Sequence, residues 1–151
     1  MENNIEQPEI KNSKEVLEQL TELAKNNQDE DWEIIDGKLG NYSDEEEFLK
    51  WSKKNLSNED SGLRDLAASI LERSKHDLED SDIDNLIALM NENDEENPYP
   101  SFRAACALAT RCWEKRVEKI IKDVIDKLEL FVHDDNVSEI AKEYLQKIKS
   151  E

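Results

Sequence analysis

Few residues in this chain have a type and spacing that could do chemistry. Asp80, Asp82 and Asp84, in the run Asp80-Ser81-Asp82-Ile83-Asp84, have the one-three-five spacing with which a calcium loop turns alternate carboxylates onto one ion. Asn85 stands where the sharp turn of such a loop needs glycine, and Asn91 where it needs a bidentate glutamate. Helical periodicity also runs straight through the segment, so the acids read as the negative start of a helix, where they complement its dipole. His76 and His133 are single and far apart, and neither Cys106 nor Cys112 has a CxxC neighbour, so no zinc site and no cofactor are expected. There is no Gly-rich phosphate loop and no G-x-S-x-G elbow, and Ser, His and Asp occur in no arrangement that suggests a nucleophile. The expectation is a protein that is not an enzyme.

Charge is the more informative signal. The net charge of −18 is unevenly placed: residues 1–60 hold 17 acids against 7 bases, residues 61–100 hold 11 against 3, and residues 101–151 hold 10 of each. Such a field repels a phosphate backbone, which excludes direct nucleic-acid binding, and attracts a basic protein. Charge runs are usually solvated surface, but solubility alone does not need the excess confined to two-thirds of the chain. The candidate partner-binding residues are therefore Asp44, Glu45, Glu46, Glu47, Asp80, Asp82, Asp94, Glu95 and Glu96. Charge alone gives poor specificity, so an aromatic anchor is expected among them: Trp51, beside the acids at 44–47, or Tyr99, between two prolines in the longest break.

At 151 residues the chain is one domain's worth, and with 36% hydrophobic and 38% charged residues it suits thin helical packing better than a deep core. Three Gly and three Pro argue against a turn-rich β fold. No run approaches the length of a membrane span, the first residues are neither basic nor apolar, and Cys106 and Cys112 read as reduced core residues; the expected compartment is cytoplasmic.

The elements organise around residues 101–113, SFRAACALATRCW, a helix with almost no polar face that the rest of the chain must cover. Phe102, Cys106, Ala109 and Trp113 share one side of it, which makes Trp113 a core residue by this reading. Before it, residues 1–12 read as a flexible tail, followed by helices at 13–26 and about 30–39, a turn at Gly40-Asn41, and helices capped near Ser43, from about 63 to 74, and from Ser81. The prolines of NENDEENPYP exclude helix from that break. A long amphipathic helix to about Val132 and a last helix from about Val137 complete the chain.

Three helices repeat one pattern: LRDLAASIL from Leu63, FRAACALAT from Phe102 and VSEIAKEYL from Val137, with Asp60 and Asp134 three residues before the first and last. An acid, two residues, an aliphatic followed by Arg, then small residues and a late aliphatic resembles a helix of the HEAT repeat. Tyr99 replaces the acid in the second copy and Ser138 the Arg in the third, so the match is good only at residues 60–71. The resemblance implies an all-α fold: a short right-handed superhelix of antiparallel helix pairs, about seven or eight helices, over residues 13–151. It also implies that Asp60, Arg64 and Arg103 are structural and bond between repeats. An unrelated helical bundle is the rival architecture.

The expected function is a binding module, a monomer when free, that offers an acidic surface to a basic protein. An immunity or inhibitor protein that neutralises a cationic toxin fits the size and charge, by analogy of fold. A DNA mimic, with acids spaced like phosphates along one face, and an adaptor with an apolar curved face are rivals. HEAT-like alkylpurine DNA glycosylases, which use aromatic residues and an acid in a basic concave groove, supply the enzyme-class rival; Trp32, Trp51 and Trp113 motivate it, and the charge opposes it.

Overall fold

The computed structural model describes residues 13–26, 29–93 and 96–150, and among these the chain is all-helical, with no strand. The tail expected at 1–12 lies outside the described residues. The elements are α1 (Ser13–Asn26), α2 (Asp29–Tyr42), α3 (Glu46–Asn55), α4 (Ser61–Arg73), α5 (Asp80–Met90), α6 (Tyr99–Ala109), α7 (Lys115–Glu118), α8 (Ile121–Glu129) and α9 (Ser138–Ser150).

Helix α6 is the centre of the packing. Every residue from Pro100 to Ala109 is buried, because alanines at 104, 105 and 107 let neighbours approach its backbone from several sides. It makes its largest contact with α4 and packs further against α5 and α8. Helix α4 belongs to two cores at once. Its Leu66 and Ile70 join Leu20, Ile35, Leu39 and Phe48 of the first three helices, while its Ala67 and Leu71 join Leu86, Phe102, Leu108 and Leu128. Trp51 packs against both.

Hydrogen bonds fix the direction of the inner helices. Asn97, just before α6, donates to Ser61 Oγ at the start of α4, and Arg111, just after α6, donates to Leu71 O and Ser74 O at the end of α4. The two helices therefore run parallel. Tyr99 and Asp134, ahead of α9, meet in the same way at 2.9 Å, so the start of α9 lies beside the start of α6. Between these helices run α5 and α8, and α5 is tied to α3 by Lys53 with Asp82 at 3.3 Å and to α7 by Arg116 with Asp84.

Several boundaries differ from expectation. Helix α2 continues through Gly37 and Gly40 to Tyr42, so there is no turn at Gly40-Asn41; both glycines face open space, and their backbone cost is carried by the neighbouring apolar contacts of Ile35 and Leu39. Helix α3 is capped by Glu45 rather than Ser43, which is buried and donates its N–H to Leu39 O. Helix α5 begins at Asp80, where the Glu79 N–H donates to Asp82. Prolines do not keep helix out of the break before α6: Pro98 is its N-cap and Pro100 lies in its first turn, where a missing N–H has no partner to lose. The long helix is interrupted at Ile120 (φ −120°, ψ 20°) into α7 and α8. Trp113 is not core. It stands past the end of α6, in the turn before α7, 64% exposed, because the helix that would have buried it has stopped.

Candidate functional site

The inner helices α2, α4, α6 and α9 enclose a groove of about 490 Å³ at their amino-terminal halves. Helix α2 supplies Trp32, Glu33 and Asp36, spaced so that one helical face carries Trp32 and Asp36 together. Asp65 comes from α4 and Tyr99 and Arg103 from α6, while Glu96 and Asn97 come from the loop that precedes α6. Asn136, Val137 and Ile140 close the far side. Four carboxylates and one guanidinium thus share a groove with two aromatic rings.

Beneath it lies a charge network whose centre, Asp65, Glu72 and Arg103, is buried. Arg103, 8% exposed, places Nη1 3.1 Å from Glu72 Oε1 and Nε 3.7 Å from Asp65 Oδ1. Arg73 Nη1 lies 3.5 Å from the same Glu72 oxygen, and its Nη2 bonds Asp36 at 3.1 Å. The Tyr144 hydroxyl of α9 donates to Glu72 Oε2 at 2.6 Å. Burial raises the Asp65 carboxyl to about 6, with Arg103 and a hydrogen bond from Ser69 pulling the other way. Burial also works against the charge of Arg103, but Glu72 and then Asp65 outweigh it and hold the guanidinium above its ordinary value. Tyr144 is raised by burial first and by Glu72 second, so its proton stays on the hydroxyl that donates.

The acids singled out in the sequence fare differently from one another. Glu96 and Tyr99 line the groove; the Tyr99 hydroxyl donates to Asp134, accepts from Asn136, and its ring lies against Phe131. Asp44 is exposed but employed: its carboxylate accepts from Lys75 N at 2.7 Å and from Ser74 Oγ at 3.2 Å, and the hydrogen bond from Lys75, opposed by a smaller burial effect, holds its carboxyl below the ordinary range. Glu45 stands at the N-cap position of α3 with no side-chain bond to the helix and is exposed, Glu46 reaches Lys50 at 3.9 Å, and Glu47 is exposed. Asp80 is exposed beside Arg116. Asp82 is a correction: it is 5% exposed, bonded to Glu79 N and paired with Lys53, so it is no part of an exposed acidic surface. Trp51 is likewise engaged between the two cores, because α3 turns that stripe inward. Asp94 and Glu95 lie outside the described residues.

The structure adds residues that the sequence did not place among the partner-binding ones, Trp32 having been named only for the glycosylase alternative. Trp32, Glu33, Asp36 and Asp65 line the groove, and Arg103, read as structural, both braces the network and faces it. The Trp32-x-x-x-Asp36 spacing was the available signal, masked by the weak helix pattern around Gly37. A second, wider cavity of about 680 Å³ lies at the carboxyl ends of α4 and α6, with Trp113, Lys75 and Lys147 around it. Its Arg111 is spent on the carbonyls of Leu71, Ser74 and His76, which the end of α4 and the turn after it leave unpaired. Among the described residues, no three His, Cys, Asp or Glu side chains are placed to hold a metal ion, and no helix is long and apolar enough to cross a membrane. Compared with protein-family models, curated proteins and solved structures, the chain matches none.

Proposed function

We propose that this protein is a non-enzymatic, HEAT-like binding module that holds a basic segment of another protein in the groove between α2, α4, α6 and α9. One observation carries the reading: Glu33, Asp36, Asp65 and Glu96 line the same groove as Trp32 and Tyr99, against Arg103 as the one cation among the described residues there. Carboxylates draw in and orient a cationic segment, and half-buried aromatic rings supply the packed contact that charge lacks. Inhibition of a cationic toxin is the setting that best suits such a surface on a small acidic chain. The HEAT-like part rests on the parallel α4 and α6, with Asp60 capping α4 through Leu63 N and Arg103 reaching Glu72 across the α4–α6 contact.

The rival readings are less well supplied. A DNA mimic needs a free row of acids, and Asp44 and Asp82 are engaged inside the fold. A glycosylase needs a groove that attracts phosphate, and this one has four acids to one base. The test is stopped-flow and equilibrium binding of a fluorescent nona-arginine peptide and a nona-lysine peptide. Binding should be fast, should slow as salt rises, and should weaken severalfold in Glu33→Lys/Glu96→Lys but little in Glu45→Lys/Glu46→Lys/Glu47→Lys. If the α3 substitutions weaken binding and the groove substitutions do not, the groove is the wrong surface.

A further inference from the structure

Among the described residues, the charge network beneath the groove, buried at Asp65, Glu72 and Arg103 and open to water at Asp36, is one positive charge short. Three carboxylates, Asp36, Asp65 and Glu72, share two guanidiniums, Arg73 and Arg103. The shortfall falls on Asp65. Glu72 takes Arg103, Arg73 and the Tyr144 hydroxyl, and Asp36 takes Arg73 at 3.1 Å. Asp65 is 5% exposed, and its neighbours Ser69 Oγ, at 3.3 Å, and Arg103 Nε, at 3.7 Å, both fall on Oδ1. The second distance is too long for a hydrogen bond, and the Arg103 Nε–H is buried with no acceptor. Among the described residues neither contact reaches Oδ2 of the same carboxylate, and Asp65 lines the groove together with Trp32 and Tyr99.

We infer that Asp65 Oδ2 is the anchor for one arginine side chain of the partner, whose guanidinium enters the groove between Trp32 and Tyr99 and completes the charge balance of the network. This rests on the groove reading given above and names the chemical group that is read. A guanidinium is planar and weakly hydrated, so it stacks on an aromatic face and gives up its water at less cost than an ammonium. Its fork of N–H donors can serve Asp65 Oδ2 and the neighbouring Asp36 together, whereas a lysine offers a point charge without a face to stack. The buried carboxylate that is expensive to ionise alone becomes favourable to ionise when the cation arrives.

The test uses three pentapeptides, Ac-Gly-Gly-X-Gly-Gly-NH2 with X arginine, lysine or citrulline, titrated to millimolar concentration while the Trp32 indole N–H is followed by NMR. Citrulline keeps the shape of arginine and lacks its charge. The arginine peptide should shift the Trp32 signal saturably, the lysine peptide severalfold more weakly, and citrulline should not saturate. Asp65→Asn, which keeps the Ser69 contact and can be checked for folding by circular dichroism, should weaken arginine binding about tenfold, the loss of one charge-assisted hydrogen bond. Trp32→Leu, followed through the side-chain amide of Asn136 on the same groove, should weaken it as well, and gives a second variant should Asp65→Asn not fold. Equal binding of the arginine and citrulline peptides, or folded Asp65→Asn with unchanged affinity, overturns the inference. Nona-arginine binding that still depends on Glu33 and Glu96 would then leave the groove reading standing; independence from both would remove that reading too.

Discussion

Arg103 and Glu72 face each other at 3.1 Å across the contact between α6 and α4, and both side chains are buried. A buried pair of this kind adds little over a well-packed apolar pair, but removing one partner strands the other. Arg103→Met should therefore cost about 3–5 kcal/mol in denaturant unfolding, because Glu72 and Asp65 lose their common cation. Adding Glu72→Leu should return part of that loss. A cost for Arg103→Met below roughly 1 kcal/mol would show that the two acids are satisfied without it.

Asp65 should give the protein an unusual pH dependence. Its folded value of about 6 lies above the ordinary 3.8, so the folded state favours the protonated form. The stability contributed by that preference is complete below pH 3.8 and is lost as pH rises to about 6, by about 3 kcal/mol in all. Comparing unfolding free energies at pH 4 and pH 7 should show Asp65→Asn lacking this fall. Parallel curves for the two proteins would mean that Asp65 titrates normally.

Asp44 works in the opposite sense. Its lowered carboxyl contributes stability above the ordinary 3.8 that disappears as pH falls through the folded value. The carboxylate joins the turn before α3 to the residues after α4 through two hydrogen bonds, so Asp44→Ala should lower the unfolding free energy at neutral pH by about 1 kcal/mol. Once acid has protonated the folded carboxyl, the variant and the wild type should melt together. A deficit that persists in acid would have to come from lost packing instead.

The glycines offer a direct test of the helix contacts. A Cβ on Gly62 would run into the backbone carbonyl of Ala24, where α1 meets the start of α4, and a backbone group cannot swing aside. Gly62→Ala should cost upwards of about 2 kcal/mol through forced separation of the two helices. Gly37, inside α2, has nothing within 4 Å, so Gly37→Ala should stabilise by about 0.5–1 kcal/mol through helix propensity. Thermal melts that rank the two substitutions the other way would place the α1–α4 contact elsewhere.

Two aromatics of the central segment should separate cleanly. Phe102 is fully buried against Phe131, with ring centroids 4.6 Å apart, and Phe102→Ala should cost about 3–5 kcal/mol. Trp113→Ser should stay within about 0.5 kcal/mol of wild type, since most of its surface is already in water. A large loss for Trp113→Ser would restore it to the core.

The sequence by itself determined the helical class and most of the elements, because apolar periodicity is local and survives at Leu17, Leu66, Phe102 and Val124 whatever the neighbours do. It also marked the small-residue helix that every neighbour must cover, since alanines at 104, 105 and 107 leave no polar face to solvate. It placed the acid excess in the first hundred residues, and it picked out Tyr99 and Glu96. What it did not determine is where in the fold each acid stands. Asp44, Asp82 and Glu96 look alike along the chain, yet one caps a turn, one is buried beside Lys53, and one lines the groove. That choice depends on where separate helices meet, a distance that no local spacing encodes. The same holds for the groove itself: Trp32, Asp65, Arg103 and Tyr144 come from four helices, and only the parallel packing of α4 and α6, flanked by α2 and α9, gathers them around the groove and the network beneath it. Trp113 shows the converse, an apolar residue in perfect helical phase that is exposed because the helix ends before it.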